Sequence, residues 1–179
     1  MKNLIIALLL VSGIMFGFTF PNQAPEQTTK INWISLSEAF AKNQKEPRKT
    51  IIDVYTDWCG WCKVMDKKTF TDPKIIDYVN KHYYAVKLNA ESKEDIIVGS
   101  TKYTFDGSRN ANQAAIALLQ GKMSYPTTVL LDEKYQLIQP IPGYLEAQVF
   151  HQVITFFGEN HHKKEPFEQY KEGTYKKKY

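Results

Sequence analysis

Cysteine is scarce in this chain: two residues in 179. That excludes a small scaffold knotted by disulfides, and two cysteines alone cannot complete a tetrahedral zinc site built from thiolates only. Charge of one sign is scarce too. Twenty-three basic residues against 19 acidic ones leave a formal net charge of +4, with no continuous basic stripe, so nothing marks a surface for nucleic acid. No internal repeat is present. Apolar and aromatic material, by contrast, is plentiful: 43% hydrophobic and 13% aromatic residues, with 3 Trp, 11 Tyr and 10 Phe. This excludes a wholly disordered chain and is enough for a core without staples. At about 150 residues per domain, the length accommodates one domain plus ends.

The first end has the composition of an address. Lys2 gives a positive start, and Leu4 to Phe20 is almost entirely apolar, followed by the polar, helix-breaking Pro21-Asn22-Gln23-Ala24-Pro25. This is the pattern of a secretory signal, although no Ala-x-Ala cleavage triplet is present. Residues 1–20 are therefore expected to be a signal peptide or an uncleaved N-terminal anchor, and 21–32 a linker. No lipid-acceptor cysteine follows the run. Either alternative places the remainder outside the cytoplasm, periplasmic or otherwise extracytoplasmic, where thiols can be oxidised.

From residue 33 to 158 helical and strand signals alternate. Ser35-Leu36-Ser37-Glu38 is a capping box opening a short helix with Leu36, Ala39 and Phe40 on its apolar side. Ile51-Ile52-Asp53-Val54-Tyr55 is β-rich and compact, as a buried strand is. A helix follows Cys59 to about Phe70, and Thr71-Asp72-Pro73 caps the next, with Ile75, Ile76 and Val79 inward. Further strands are predicted at Tyr83 to Leu88, Thr127 to Leu131 and Gln136 to Ile141. An amphipathic helix over Glu146 to Phe157, with Val149, Val153, Ile154 and Phe157 inward and Gly158 as C-cap, closes the domain. Such an order makes a mixed sheet covered on both faces. Residues 90–124 form a long connection with an acidic opening, a short strand at Lys102 to Phe105 and a helix from Asn112 to Gln120. Residues 159–179 shift to a polar, basic composition and are expected to be a solvated, mobile tail; His82 and His151 are read as surface or helix-face residues.

The chemistry is concentrated in Asp57-Trp58-Cys59-Gly60-Trp61-Cys62-Lys63. Two cysteines three apart at a strand-to-helix junction can close a small disulfide ring. Cys59 falls at the helix N-terminus, where free N–H groups and the macrodipole favour a thiolate. Cys62, one turn inside, can attack a mixed disulfide formed on Cys59. Gly60 permits close backbone approach, and Trp58 and Trp61 would frame the sulfur with apolar surface. Placed between a buried strand and a helix, a Cys-x-x-Cys is a strong redox signal.

Over residues 33–158 the chain resembles the thioredoxin family. Trp58-Cys59-Gly60-Trp61-Cys62-Lys63 is similar to that family's W-C-G-x-C-K, and Tyr125-Pro126-Thr127 to its cis-proline loop. Asp53 matches its buried acid, Lys87 the neighbouring lysine, and Gly143 the glycine before the last helix. The resemblance implies an α/β thioredoxin fold with a central mixed sheet flanked by helices, and with 90–124 inserted before the cis-proline loop. It also implies a thiol–disulfide oxidoreductase with Cys59 attacking, Cys62 resolving and Asp53 with Lys87 moving the proton. Trp58, Gly60, Trp61, Tyr125, Pro126 and Thr127 would receive a protein disulfide. No cofactor is implied, because the electrons reside in the cysteine pair; a membrane-bound or soluble redox partner must recycle it. The Gly-Trp dipeptide and the leader look more like the exported thioredoxin-like branch. Trp61, where thioredoxin has Pro, leaves the direction of exchange open, with a lean towards reduction from Asp53 and Lys87.

Physical chemistry supports the same assignments. An isolated carboxylate in an apolar strand is costly unless it shifts its pKa or finds a partner, and Lys87 on the adjacent strand can supply one. A cis Tyr125-Pro126 bond costs only about 0.5–1 kcal/mol, so tertiary contacts can select it. Competing readings are an idle disulfide in a non-catalytic binding domain, a solvated Asp53 at the sheet edge, a surface Lys87, and tryptophans that only pack. A zinc site using His161 and His162 is disfavoured by their distance along the chain from the cysteines. Nothing demands more than a monomer.

Overall fold

The computed structural model describes residues 28–176. The expected leader at 1–20, most of the 21–32 linker and the last residues of the tail, 177–179, lie outside the described residues. Among the described residues no helix is long and apolar enough to cross a membrane.

A five-stranded mixed sheet forms the centre, in the order β1-β3-β2-β8-β9. Its strands are Trp33–Ile34 (β1), Lys49–Tyr55 (β2), Tyr83–Asn89 (β3), Thr127–Leu131 (β8) and Leu137–Pro142 (β9). β1 and β2 run parallel to β3, β8 is antiparallel to β2, and β9 is antiparallel to β8. β2 lies mid-sheet and six of its seven residues are buried. Its pleat sends Ile51 to one core and Ile52 and Val54 to the other, as period-2 geometry requires.

The first core packs Ile51 and Leu130 against Gly60–Lys68 (α2, through Met65), Pro73–His82 (α3, through Ile75, Ile76 and Val79) and Ala147–Gly158 (α5, through Phe150, Val153 and Ile154). The second packs Val54, Val86 and Val129 against Leu36–Asn43 (α1) and Gln113–Leu118 (α4). Caps set the helix starts: Ser35 Oγ accepts the Glu38 N–H at 3.1 Å, and Asp72 Oδ1 accepts from Lys74 at 2.9 Å ahead of Pro73. The architecture is the α/β thioredoxin fold expected from the sequence.

Between β3 and β8 the long connection folds into two hairpins and α4. Ile96–Val98 (β4) pairs with Thr101–Tyr103 (β5), and Phe105–Asp106 (β6) with Ala111–Asn112 (β7). The expected single strand at 102–105 is thus divided between two hairpins, because Thr104 leaves the first ladder and Asp106 turns the chain by accepting the Ser108 N–H at 2.9 Å.

Several expectations need correction in the C-terminal region. Residues 159–176 are not a solvated tail. They fold back over α5 as a 3₁₀ turn (His161–Lys163), a helical turn (Phe167–Gln169) and a π-helical segment (Tyr170–Tyr175). Tyr170 is fully buried in the first core and donates its hydroxyl to Thr155 Oγ1 at 2.6 Å. Three aromatics, Phe167, Tyr170 and Tyr175, outweigh the charged composition by burying apolar area against the first core, which offsets the ordering of a short segment. His151 is likewise buried, with Nδ1 3.0 Å from the Tyr175 hydroxyl, and burial holds its pKa below the usual histidine range. Val149 faces solvent and Phe150 takes the inward place. Gly158 is the last residue of α5 rather than its cap, and the left-handed turn falls at Asn160. Glycine at 158 is required by closeness: an added Cβ would lie 2.7 Å from the Tyr78 hydroxyl and 3.0 Å from that of Tyr83.

A Tyr170→Ala variant tests the docking of this segment. It is expected to lose about 3–5 kcal/mol of stability in denaturant titration, the scale for truncating a buried aromatic side chain. A change under about 0.5 kcal/mol, typical of surface positions, would show the segment to be dispensable.

Candidate active site

Cys59 and Cys62 are joined in a disulfide across the first turn of α2, with Cα atoms 5.3 Å apart. Cys59 is the N-cap of that helix, in extended conformation, and its Sγ accepts the Cys62 N–H at 3.1 Å. The first turn of α2 carries no acidic residue and the last carries Lys67 and Lys68, so the positive helix end remains available to the sulfur. Exposure separates the two cysteines little, 4% against 2%; it is position on the helix that makes them unlike.

The flanking tryptophans are the two most exposed large apolar side chains described, Trp58 at 66% and Trp61 at 61%. Each ring rests against a tyrosine. Trp58 meets the Tyr125 ring edge-on at a centroid distance of 5.8 Å, and Trp61 leans on Tyr144 at 5.4 Å. Gly60 faces open space, where an added Cβ would meet nothing within 4 Å.

The Tyr125–Pro126 peptide bond is cis. Thr127 Oγ1 holds the loop by donating to Ser124 O at 2.8 Å, and the Gly143 N–H donates to Pro126 O at 2.8 Å. Gly143 adopts φ 98°, a conformation that glycine adopts without strain, so it shapes the end of β9 against this loop. The Trp58–Tyr125 contact thus joins the cysteine motif to a loop more than sixty residues later in the chain.

Asp53 is 2% exposed at mid-β2, the strand that leads into the motif, opposite Lys87 on β3 and Thr128 on β8. Lys87 Nζ lies 3.0 Å from Asp53 Oδ2. Apart from this ion pair, neither carboxylate oxygen has a hydrogen-bond partner among the described residues, and Thr128 Oγ1 has none. Burial pushes the Asp53 pKa up to about 6, against the opposing pull of Lys87. On Lys87 burial acts to lower the pKa, but Asp53 and Asp66 outweigh it and hold the ammonium above its usual range. The same ammonium sits over the rings of Tyr55 (4.8 Å), Phe70 (5.5 Å) and Trp33 (5.6 Å). The solvated Asp53 at a sheet edge, one of the competing readings, does not occur.

Three neighbours were not read from the sequence. Asp66 forms a second ion pair with Lys87, opposite the one to Asp53. It stands four residues after Cys62 on α2, hence on the same helix face, a spacing that was available as a signal. Tyr144 and Glu91, which touch Trp61 and Trp58, lie in loops whose path no local pattern encodes. His161 is held between Glu165 at 3.1 Å and Glu159 at 3.4 Å. Among the described residues no group of three or more His, Cys, Asp or Glu side chains could hold a metal ion.

Known proteins resemble this chain in fold and, over parts of it, in sequence. The DsbH oxidoreductase structure superposes with a TM-score of 0.54 at 16% identity, covering 78% of this chain and 92% of that one. A thioredoxin from Thermus thermophilus gives 0.53 at 16% identity, with 74% and 96% covered. At such identities the likeness is one of fold. By sequence, the thiol:disulfide interchange protein DsbD of Pectobacterium atrosepticum is 28% identical over 87 residues, which is 42% of this chain and 15% of that protein. The DsbD of Haemophilus ducreyi is 40% identical over 58 residues, 32% of this chain and 9% of that protein. The chain therefore spans only a small part of the length of these curated relatives. The Thioredox_DsbH family model, described as "Protein of unknown function, DUF255", matches residues 22–157. The chain, a thioredoxin fold with a Cys-x-x-Cys disulfide at a helix N-cap, is matched by that model over most of its length and belongs to the Thioredox_DsbH family.

Proposed function

We propose that the protein is a thiol–disulfide oxidoreductase that reduces disulfides of other polypeptides outside the cytoplasm. The observation that carries this reading is the Cys59 sulfur in the N-cap of α2, receiving an N–H at 3.1 Å where a thiolate would gain the same hydrogen bond and the helix dipole.

In the reduced protein Cys59 thiolate attacks one sulfur of a substrate disulfide. A mixed disulfide forms and the other substrate sulfur leaves as a thiol. Cys62 then gives up its proton and attacks Cys59 Sγ; the protein disulfide closes and the second substrate thiol departs. Two electrons pass from the cysteine pair to the substrate, and a dithiol partner, membrane-bound or soluble, must return them. Asp53 is the base for the Cys62 proton, with Lys87 compensating its charge when ionised. Trp58, Gly60 and Trp61 on one side, and Tyr125, Pro126 and Thr127 on the other, frame the place where the substrate chain lies. The open space over Gly60 leaves room for its backbone. The apolar N-terminal run supports an extracytoplasmic setting. The net reducing direction is supported by the Asp53–Lys87 pair.

Reduction of insulin disulfides by dithiothreitol tests the reading. The wild-type chain is expected to accelerate it and Cys59→Ser to return it to background. Equal rates in the two would leave a non-catalytic binding domain, to which the exposed tryptophans would then belong.

A further inference from the structure

The segment after β3 builds a brace for Trp58. Glu91 Oε1 accepts the Trp58 indole N–H at 3.1 Å, and the same oxygen accepts Asn110 Nδ2 at 2.9 Å. Asn110 closes the β6–β7 hairpin in left-handed conformation, φ 50°. The next residue but one locks that hairpin onto the start of the segment. Asn112, fully buried, donates its N–H to Ala90 O at 2.7 Å and its Nδ2 to Ser92 O and Glu94 O at 3.2 and 3.0 Å. The Glu91 N–H is held in turn by Asn89 Oδ1 at 2.9 Å. The indole is therefore fixed along its N–H edge by a charge-assisted bond and by Tyr125, while most of its surface stays in solvent. An exposed aromatic side chain held in one orientation before binding loses less freedom when a partner covers it.

The geometry points to Glu91, braced by Asn110, as a positioning residue that fixes Trp58 beside Cys59 and thereby favours disulfides carried on polypeptides over small disulfides. This rests on the exchange reading above. A polypeptide crossing the cysteine pair must lie against Trp58, whereas a disulfide with only a few atoms beyond its sulfurs can reach Cys59 without covering the indole.

The test compares insulin with bis(2-hydroxyethyl) disulfide as substrates of the full-length chain. Glu91→Ala is expected to raise KM for insulin about 3- to 10-fold with kcat unchanged, the scale of one side chain that must be reordered on binding. Kinetics with the small disulfide stay at the wild-type level. Glu91→Gln, whose Oε1 still accepts the indole N–H, should recover most of the loss, and Asn110→Ala should fall between. In a Trp61→Phe background, Glu91→Ala should also lower the fluorescence anisotropy of the indoles. An insulin KM unchanged in both Glu91→Ala and Asn110→Ala, or an equal loss on both substrates, overturns the proposal while leaving the exchange reading intact. A wild type inert towards both substrates removes the exchange reading and this proposal with it.

Discussion

A reduced Cys62→Ser protein, mixed with disulfide-bearing polypeptides, is expected to accumulate as a mixed disulfide through Cys59. In the wild type the second sulfur is built into the first turn of the same helix, and its attack on Cys59 is intramolecular. Well-placed intramolecular groups act at effective concentrations far above any free thiol, so removing Cys62 should lengthen the adduct's life by at least about 100-fold. Non-reducing electrophoresis with mass spectrometry of the trapped peptide would read this, and the captured polypeptides would identify natural substrates. A Cys59→Ser, Cys62→Ser double variant should capture none. If instead Cys59→Ser traps partners and Cys62→Ser does not, the assignment of attacking and resolving sulfurs is reversed, and the N-cap argument fails.

Asp53→Asn should move stability and rate in opposite directions. Burial raises the Asp53 pKa from 3.8 to about 6, so the native state holds its proton more tightly than the unfolded chain. Stability from this group is fully present below about pH 3.8 and is lost as pH rises through about 6. Above that the ionised carboxylate costs up to about 3 kcal/mol, taking about 1.4 kcal/mol per unit of pKa. An asparagine avoids that cost. The variant should therefore be more stable than wild type at pH 7–8, by up to about 3 kcal/mol, with the difference vanishing below pH 4. Its mixed disulfides should resolve about 10²-fold more slowly, the lower end for loss of a positioned general base. The wild-type resolution rate should climb with pH through about 6, and the asparagine variant should lack that step. Denaturant midpoints across pH and single-turnover kinetics check the two halves separately. A variant that resolves as fast as wild type, with the same pH profile, would reduce Asp53 to a structural residue.

The structure also explains why the carboxylate survives at such a cost. A lone buried acid beside one lysine would form an isolated pair, often replaceable by apolar side chains. Here the lysine is shared. Asp66 pairs with it from α2, with its carboxylate 42% exposed, and three aromatic rings surround the ammonium. One end of the cluster, at Asp53, is therefore dry, and the other, at Asp66, reaches water. Lys87 was legible only as a strand lysine opposite Asp53. Its second acid required α2 to be laid across the sheet.

Much of the fold could be read from local pattern because the local signals agree with one another. The Ser35 and Asp72 caps, the continuous apolar run of β2, and the sulfur pair at a strand-to-helix junction each state their role within a few residues. Where reading failed, the deciding interaction was remote. Tyr170 looks like one aromatic in a charged tail until Thr155 and the first core are brought beneath it. Gly158 resembles a helix cap until the hydroxyls of Tyr78 and Tyr83 occupy the space a side chain would need.

The chain alone determined where the proposed redox chemistry resides, because a helix N-terminus is a local property and two cysteines three apart must share its first turn. It also determined the layered α/β order, because strand and helix periods are written in neighbouring residues. The environment of that chemistry was decided only in three dimensions. Asp53 acquires its raised pKa from burial by elements far along the chain, and Trp58 acquires its orientation from Glu91 and a hairpin beyond it. Desolvation and contact depend on what is packed nearby, and no stretch of sequence around either residue contains that information.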